Sequence, residues 1–142
     1  MKKKKIILVF LSVIVALVIL VPMFTTPMRR PHSVLRWQIL RSTPIGTGMD
    51  DVIEFVEREY GWGSPGVSFD YGFAQISPGS RRPPPAHLGF PDHPRVGVMS
   101  VSSYMGSYRN WFMFFVTSVT VFWGFDEDGK LIDVYIWKVS GG

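Results

Sequence analysis

Val119-Thr120-Val121-Phe122-Trp123-Gly124-Phe125-Asp126-Glu127-Asp128-Gly129-Lys130-Leu131-Ile132-Asp133-Val134-Tyr135-Ile136-Trp137 is the stretch that decides the fold. Two β-branched and aromatic runs flank an acidic turn ending in glycine, the composition of a β-hairpin. A two- or four-residue loop centred on Glu127 and Asp128 sets Trp123, Val121 and Val119 opposite Ile132, Val134 and Ile136. That face is wholly apolar. The other face sets Phe122, Thr120 and Ser118 opposite Asp133, Tyr135 and Trp137, a mixed surface. A slip of one residue would mix both faces, so the pattern selects its own register.

Upstream, Val96–Tyr104 reads as a further strand, Gly106–Asn110 as a turn, and 111–125 and 130–139 as the hairpin strands. Residues 67–76 alternate weakly and predict a short strand. Residues 78–95 hold six prolines and form a loop. The apolar hairpin face needs a helix to cover it. Met49, Val52, Ile53, Val56 and Tyr60 supply one at helical spacing, with acids on the opposite side. Thr47 or Gly48 is the expected N-cap, and Asp50 and Asp51 suit the positive end of the helix dipole. Gly61 and Gly63 stop the helix. A shorter helix is expected at 32–41, ended by Pro44. The reading is an α+β fold: an N-terminal transmembrane helix, then one or two helices packed on a three- to four-stranded antiparallel sheet.

The chain's net charge of +4 is unevenly placed. Lys2, Lys3, Lys4 and Lys5 precede Ile6–Phe24, which carries no charge. Nineteen residues at 1.5 Å rise span about 28 Å, close to the hydrocarbon thickness of a bilayer. The run exceeds a signal-peptide core and has no small-x-small cleavage site after it. We therefore read residues 1–24 as an uncleaved signal anchor, a cleaved signal peptide being the competing reading. Pro22, Pro27 and Pro31 punctuate residues 22–31 as extended chain, so 25–32 are read as a linker and 33–142 as one extracytoplasmic domain. The denser lysine cluster places the N-terminus in the cytoplasm of a single-pass cell-membrane protein, with the domain outside. Arg29, Arg30, Arg36 and Arg41 make a basic collar on the far side. It stops the helix sliding inward, and anionic headgroups would attract it.

Gly46-Thr47-Gly48-Met49-Asp50-Asp51-Val52 and Phe125-Asp126-Glu127-Asp128-Gly129-Lys130-Leu131 resemble two short motifs of the BamE/SmpA type, small membrane-anchored bacterial domains of β-lactamase-inhibitor-like fold. The resemblance runs over residues 33–139. It implies two helices followed by three antiparallel strands in a non-catalytic module that binds other proteins. This chain departs from the family in having Gly48 at the usual Ser/Thr cap, no lipid-bearing cysteine, and a longer 61–95 stretch.

The chain has no cysteine, which excludes disulfide scaffolds, thiol catalysis and thiolate metal sites. From Ser42 onward acids outnumber bases, and the aromatics are not interleaved with bases, so no nucleic-acid partner is expected. Gly61-Trp62-Gly63-Ser64-Pro65-Gly66 matches a dinucleotide fingerprint only in spelling, since it follows a helix instead of opening one. His87, Asp92 and His93 share one loop. They are the alternative, a small envelope enzyme or a metal- or ligand-binding protein, but a proline-rich loop holds ligand geometry poorly. No serine or carboxylate arrangement carries catalysis, so no enzyme, cofactor or metal is expected. The candidate interaction face is the mixed side of the hairpin, Ser118, Thr120, Phe122, Tyr135 and Trp137, where aromatic surface meets hydroxyls, the competing reading being that the 78–95 loop or the first strand covers it. The expected partners are the membrane through residues 6–24 and an unknown envelope protein or wall polymer.

Overall fold

The structure, a computed structural model, describes residues 2–60, 64–74, 94–109 and 115–141, without the side chains of 2–5, 19, 22–25 and 60. Helix α1 runs Lys2–Thr25, a 3-10 turn covers Pro27–Arg29, α2 covers His32–Ser42 and α3 covers Met49–Tyr60. The strands are β1 Gly66–Ser68, β2 Phe73–Ala74, β3 Arg95–Val96, β4 Met99–Arg109, β5 Val116–Phe125 and β6 Leu131–Gly141. An antiparallel sheet of order β1-β4-β5-β6 is joined by a two-stranded β2-β3 sheet. The expected α+β class and helix-on-sheet architecture hold.

The core lies where the apolar stripes meet. Val52 and Val56 of α3 and Leu35 and Ile39 of α2 pack with Val101, Val119, Val121, Trp123, Val134 and Ile136. Trp123, the largest fully buried side chain, donates its indole N–H to Thr43 Oγ1 at 3.1 Å, and that hydroxyl donates to the Ile39 carbonyl. A buried polar atom needs such a partner, and here the bond fixes the C-terminal end of α2 to the sheet.

The hairpin keeps its predicted faces but not its register. Trp123 pairs with Val134, Val121 with Ile136 and Thr120 with Trp137, two residues beyond the expected partners. The turn is a three-residue loop with Gly129 at φ 70°, closed between Asp126 and Lys130. The Asp126 carboxylate accepts from the amides of Asp128 and Lys130. A bulge follows on β6: Leu131 pairs with Phe125 and Asp133 with Gly124, which leaves Ile132 as the extra residue. Leu131 therefore takes the buried position predicted for Ile132, and Ile132 faces solvent.

Three other expectations are corrected, and one open alternative is decided. Gly106–Arg109 continues β4, because a bulge at Met105 absorbs the irregularity read as a turn, and Asn110 lies outside the described residues. The strand expected at 67–76 is two short strands in different sheets over its described part, 75 and 76 lying outside the described residues. The 25–32 linker is compact: its 3-10 turn packs on β4, with Met28 against the core. Of the two expected N-caps, Gly48 is the one that opens α3, its carbonyl taking the first bond from the Val52 amide, while Thr47 donates to the Pro44 carbonyl.

The 46–49 segment is laced to the hairpin turn. Gly46 N–H donates to Leu131, Leu131 N–H to Thr47 and Met49 N–H to Gly129, each to a backbone carbonyl within 3.0 Å. The sequence stretches 46–52 and 125–131 are thus one contact in space.

Candidate interaction surface

The sheet has one face on the helices and one turned away. The second face carries the five predicted residues, since strand alternation sends Ser118, Thr120 and Phe122 of β5 and Tyr135 and Trp137 of β6 to the same side. Phe122, however, is buried. Phe73 of β2 lies over it, with ring centroids 6.3 Å from Phe122 and 6.0 Å from Tyr135. The three rings form one cluster, as Phe122 and Tyr135 are themselves 6.5 Å apart. A Cβ on Gly124 would sit 2.8 Å from the Phe73 ring and from the Val96 carbonyl, so the missing side chain is the space that lets β2 and β3 approach. Gly97, at φ 78°, likewise sits against the backbone of Phe125. The candidate face is therefore not continuous: its hairpin-tip half is closed by β2.

The other half is more open. Ser118, Thr120 and Trp137 are half-buried. Tyr104 of β4 stands opposite Thr120 and is 43% exposed. Sequence reasoning missed Tyr104, although it lay within a predicted strand. Only the β4–β5 register, set across the Met105 bulge, shows which face it joins. Burial raises the phenol pKa of Tyr135 above its ordinary value. Tyr135 and Trp137 each make further interactions, so the cluster is a partnered surface. Chemically it offers ring faces and hydroxyls, suited to stacking and hydrogen bonding, with no carboxylate pair for acid–base work.

A second polar constellation lies along β6, the outer strand of the sheet. The Val134 carbonyl accepts from Arg36 Nε at 3.1 Å, and His32 Nδ1 lies 3.2 Å from the Ile136 carbonyl. Arg36 also holds Asp133 at 2.6 Å. Lys138 donates to the carbonyls of Met28 and Arg30, at 2.7 and 2.6 Å. Burial lowers the pKa of that ammonium. A shallow groove of about 320 Å³ runs beside these groups, lined by His32, Ser33, Arg36, Asp133 and Tyr135 among others. Its charged atoms are occupied by backbone and by each other, and together they cover the edge of β6. His32 and Arg36, read from sequence as linker and collar, are built into the domain.

No protein-family model, curated protein or solved structure matches the chain. Among the described residues, no three His, Cys, Asp or Glu side chains are placed to hold a metal ion. His87, Asp92 and His93 lie outside those residues, as do Gly61, Trp62 and Gly63 of the glycine-rich stretch. Counting only described side chains, which in α1 run unbroken over 6–18, no helix is long and apolar enough to cross a membrane.

Proposed function

We propose that the protein is a single-pass, membrane-anchored interaction module of the bacterial envelope. In this reading α1 is the uncleaved anchor, the N-terminus is cytoplasmic, and the non-catalytic domain displays its outer sheet face to an envelope protein or wall polymer. The observation that carries the proposal is α1 itself. It is helical over Lys2–Thr25, and its apolar side chains from Ile6 to Val18 are exposed, with no surface of the described domain residues covering them. Twenty-four helical residues reach about 36 Å, enough for the hydrocarbon core. The uncharged run Ile6–Phe24 fills most of that length. Exposed leucines, isoleucines and valines in such number are stable in lipid and not in water.

Two further observations support the interaction role. Two helices precede three long antiparallel strands, the order implied by the BamE/SmpA resemblance, and the two stretches that carry it touch through backbone bonds. The open half of the outer face combines Tyr104 and Trp137 with Ser118 and Thr120, a composition that protein and glycan interfaces use.

The test is made on the full chain in intact cells. Protease added outside is expected to remove a C-terminal epitope tag while a tag before Met1 survives; loss of the C-terminal tag only after lysis overturns the topology. In the same cells, photo-crosslinking from position 104 is expected to capture a partner that a folded Trp137→Ala variant loses. A variant that keeps every crosslink removes the sheet face from the proposal.

A further inference from the structure

Helix α2 has two faces of different character. Leu35 and Ile39 point into the core, 2% and 3% exposed. On the opposite side, Val34, Trp37 and Arg41 follow one another at i, i+3 and i+7, a single stripe along the helix. Val34 is 40% exposed and Trp37 is 59% exposed. The Arg41 guanidinium lies over the Trp37 ring, 5.4 Å from its centroid. Arg30 stands just before the helix, and Ile45, just after it, is also exposed.

An exposed tryptophan under an arginine, flanked by aliphatic side chains, is the pairing found where a protein meets lipid headgroups. The indole sits at the interface, and the guanidinium meets phosphate. The charge around it fits. No acidic residue occurs before Asp50 in the chain, and of the acids that fold back onto α2, Asp133 is paired with Arg36 and Glu59 lies beside Gln38 and Ser42, off the Val34–Trp37–Arg41 stripe. Distance fits as well. The chain takes seven steps from Thr25, the last residue of α1, to His32, the first of α2, which bounds the gap at about 25 Å. The gap is shorter in fact, because the intervening turn is docked on β4 and its carbonyls are held by Lys138.

We infer that α2 lies along the outer membrane surface, with Val34 and Trp37 at the level of the headgroups and Arg41 and Arg30 on anionic lipid phosphates. The inference rests on α1 being the anchor and adds a fixed pose for the domain. The alternative pose has α2 standing off the bilayer, with Trp37 in water.

The chain lacks cysteine, so single introduced cysteines can carry a spin label without background. The full-length protein is placed in nanodiscs of phosphatidylcholine and phosphatidylglycerol. Labels at Val34→Cys, Val13→Cys in α1 and Glu127→Cys at the hairpin tip are compared for collision with oxygen and with a water-soluble nickel complex. The Val34 label is expected to be severalfold less accessible to nickel than the Glu127 label, and shallower than the Val13 label. Adding Trp37→Ser and Arg41→Glu, both at surface positions, is expected to return it to the Glu127 value. Omitting phosphatidylglycerol is expected to move it part of the way. A Val34 label as accessible as the Glu127 label, with Val13 buried in lipid, overturns the inference and leaves the anchor standing. A Val13 label in water overturns both. Immersion that ignores phosphatidylglycerol and Arg41→Glu overturns the assignment to anionic phosphate.

Discussion

Gly124 sets how closely a second layer of backbone approaches the sheet. With hydrogen in place of a side chain, Phe73 packs on Phe122 and the Val96 carbonyl comes within reach of β5. Gly124→Ala drives a methyl group into both. The expected cost is about 1–3 kcal/mol, the range for overpacking a tight contact, read as a lower urea midpoint at unchanged slope. Tyr135, in the same cluster, gives the domain a pH signature. Its folded-state pKa is raised above 10.0 by burial, so the folded state holds the phenolic proton more tightly than the unfolded chain does. That contribution is complete below the unfolded value and is lost as pH rises through the folded one. Thermal melts from neutral to strongly alkaline pH are expected to show the parent losing more stability than Tyr135→Phe in the alkaline limb; parallel curves would refute it. Two rings of this cluster, Phe122 and Tyr135, were legible in the sequence as neighbours on one face, and the third was not. Period-two alternation placed Phe122 correctly on the outer face, but its lid is a two-residue strand far away along the chain, too short to leave a pattern.

At the scale of elements, β6 is an outer strand protected by side chains. Arg36 and His32 occupy the outward carbonyls of Val134 and Ile136, which otherwise offer a template for another strand. Arg36 and Asp133 are both partly exposed, so their ion pair adds little to stability. The value of the arrangement lies in blocking the edge. His32→Ala with Arg36→Ala is expected to leave the melting temperature within a few degrees of the parent and to raise self-association of the detergent-solubilised protein, measured by light scattering; an unchanged molecular mass would count against the edge role. The elements themselves were largely readable. The 49–60 stripe and the two hairpin runs have strong periods, and tertiary packing agrees with them. Register was readable only in parity: the closing turn and the Ile132 bulge each add a residue, and two additions preserve the faces while moving every partner by two.

For the molecule as a whole, charge and hydropathy are arranged along one axis: lysines, an apolar helix, a basic collar and an acidic domain. The sequence displays that order because it is one-dimensional. The α+β class was legible for a related reason, since each element announces itself locally. The site was not, because a surface is defined by what remains uncovered once every element is placed. Tyr104 joined the face only through pairing, and two collar arginines proved to be structural: Arg36 on β6, and Arg29 on the Arg109 carbonyl and the Tyr108 ring.

Only Thr26 stands between the end of α1 and the docked turn, and Arg29 and Lys138 clamp that turn to β4 and β6. The junction between the domain and its first helix is therefore short, with one residue between a clamped turn and the helix end. A load applied to the sheet is handed to α1 through that one residue, and the bonds that Arg29 and Lys138 make at the 28–30 segment run back into the domain.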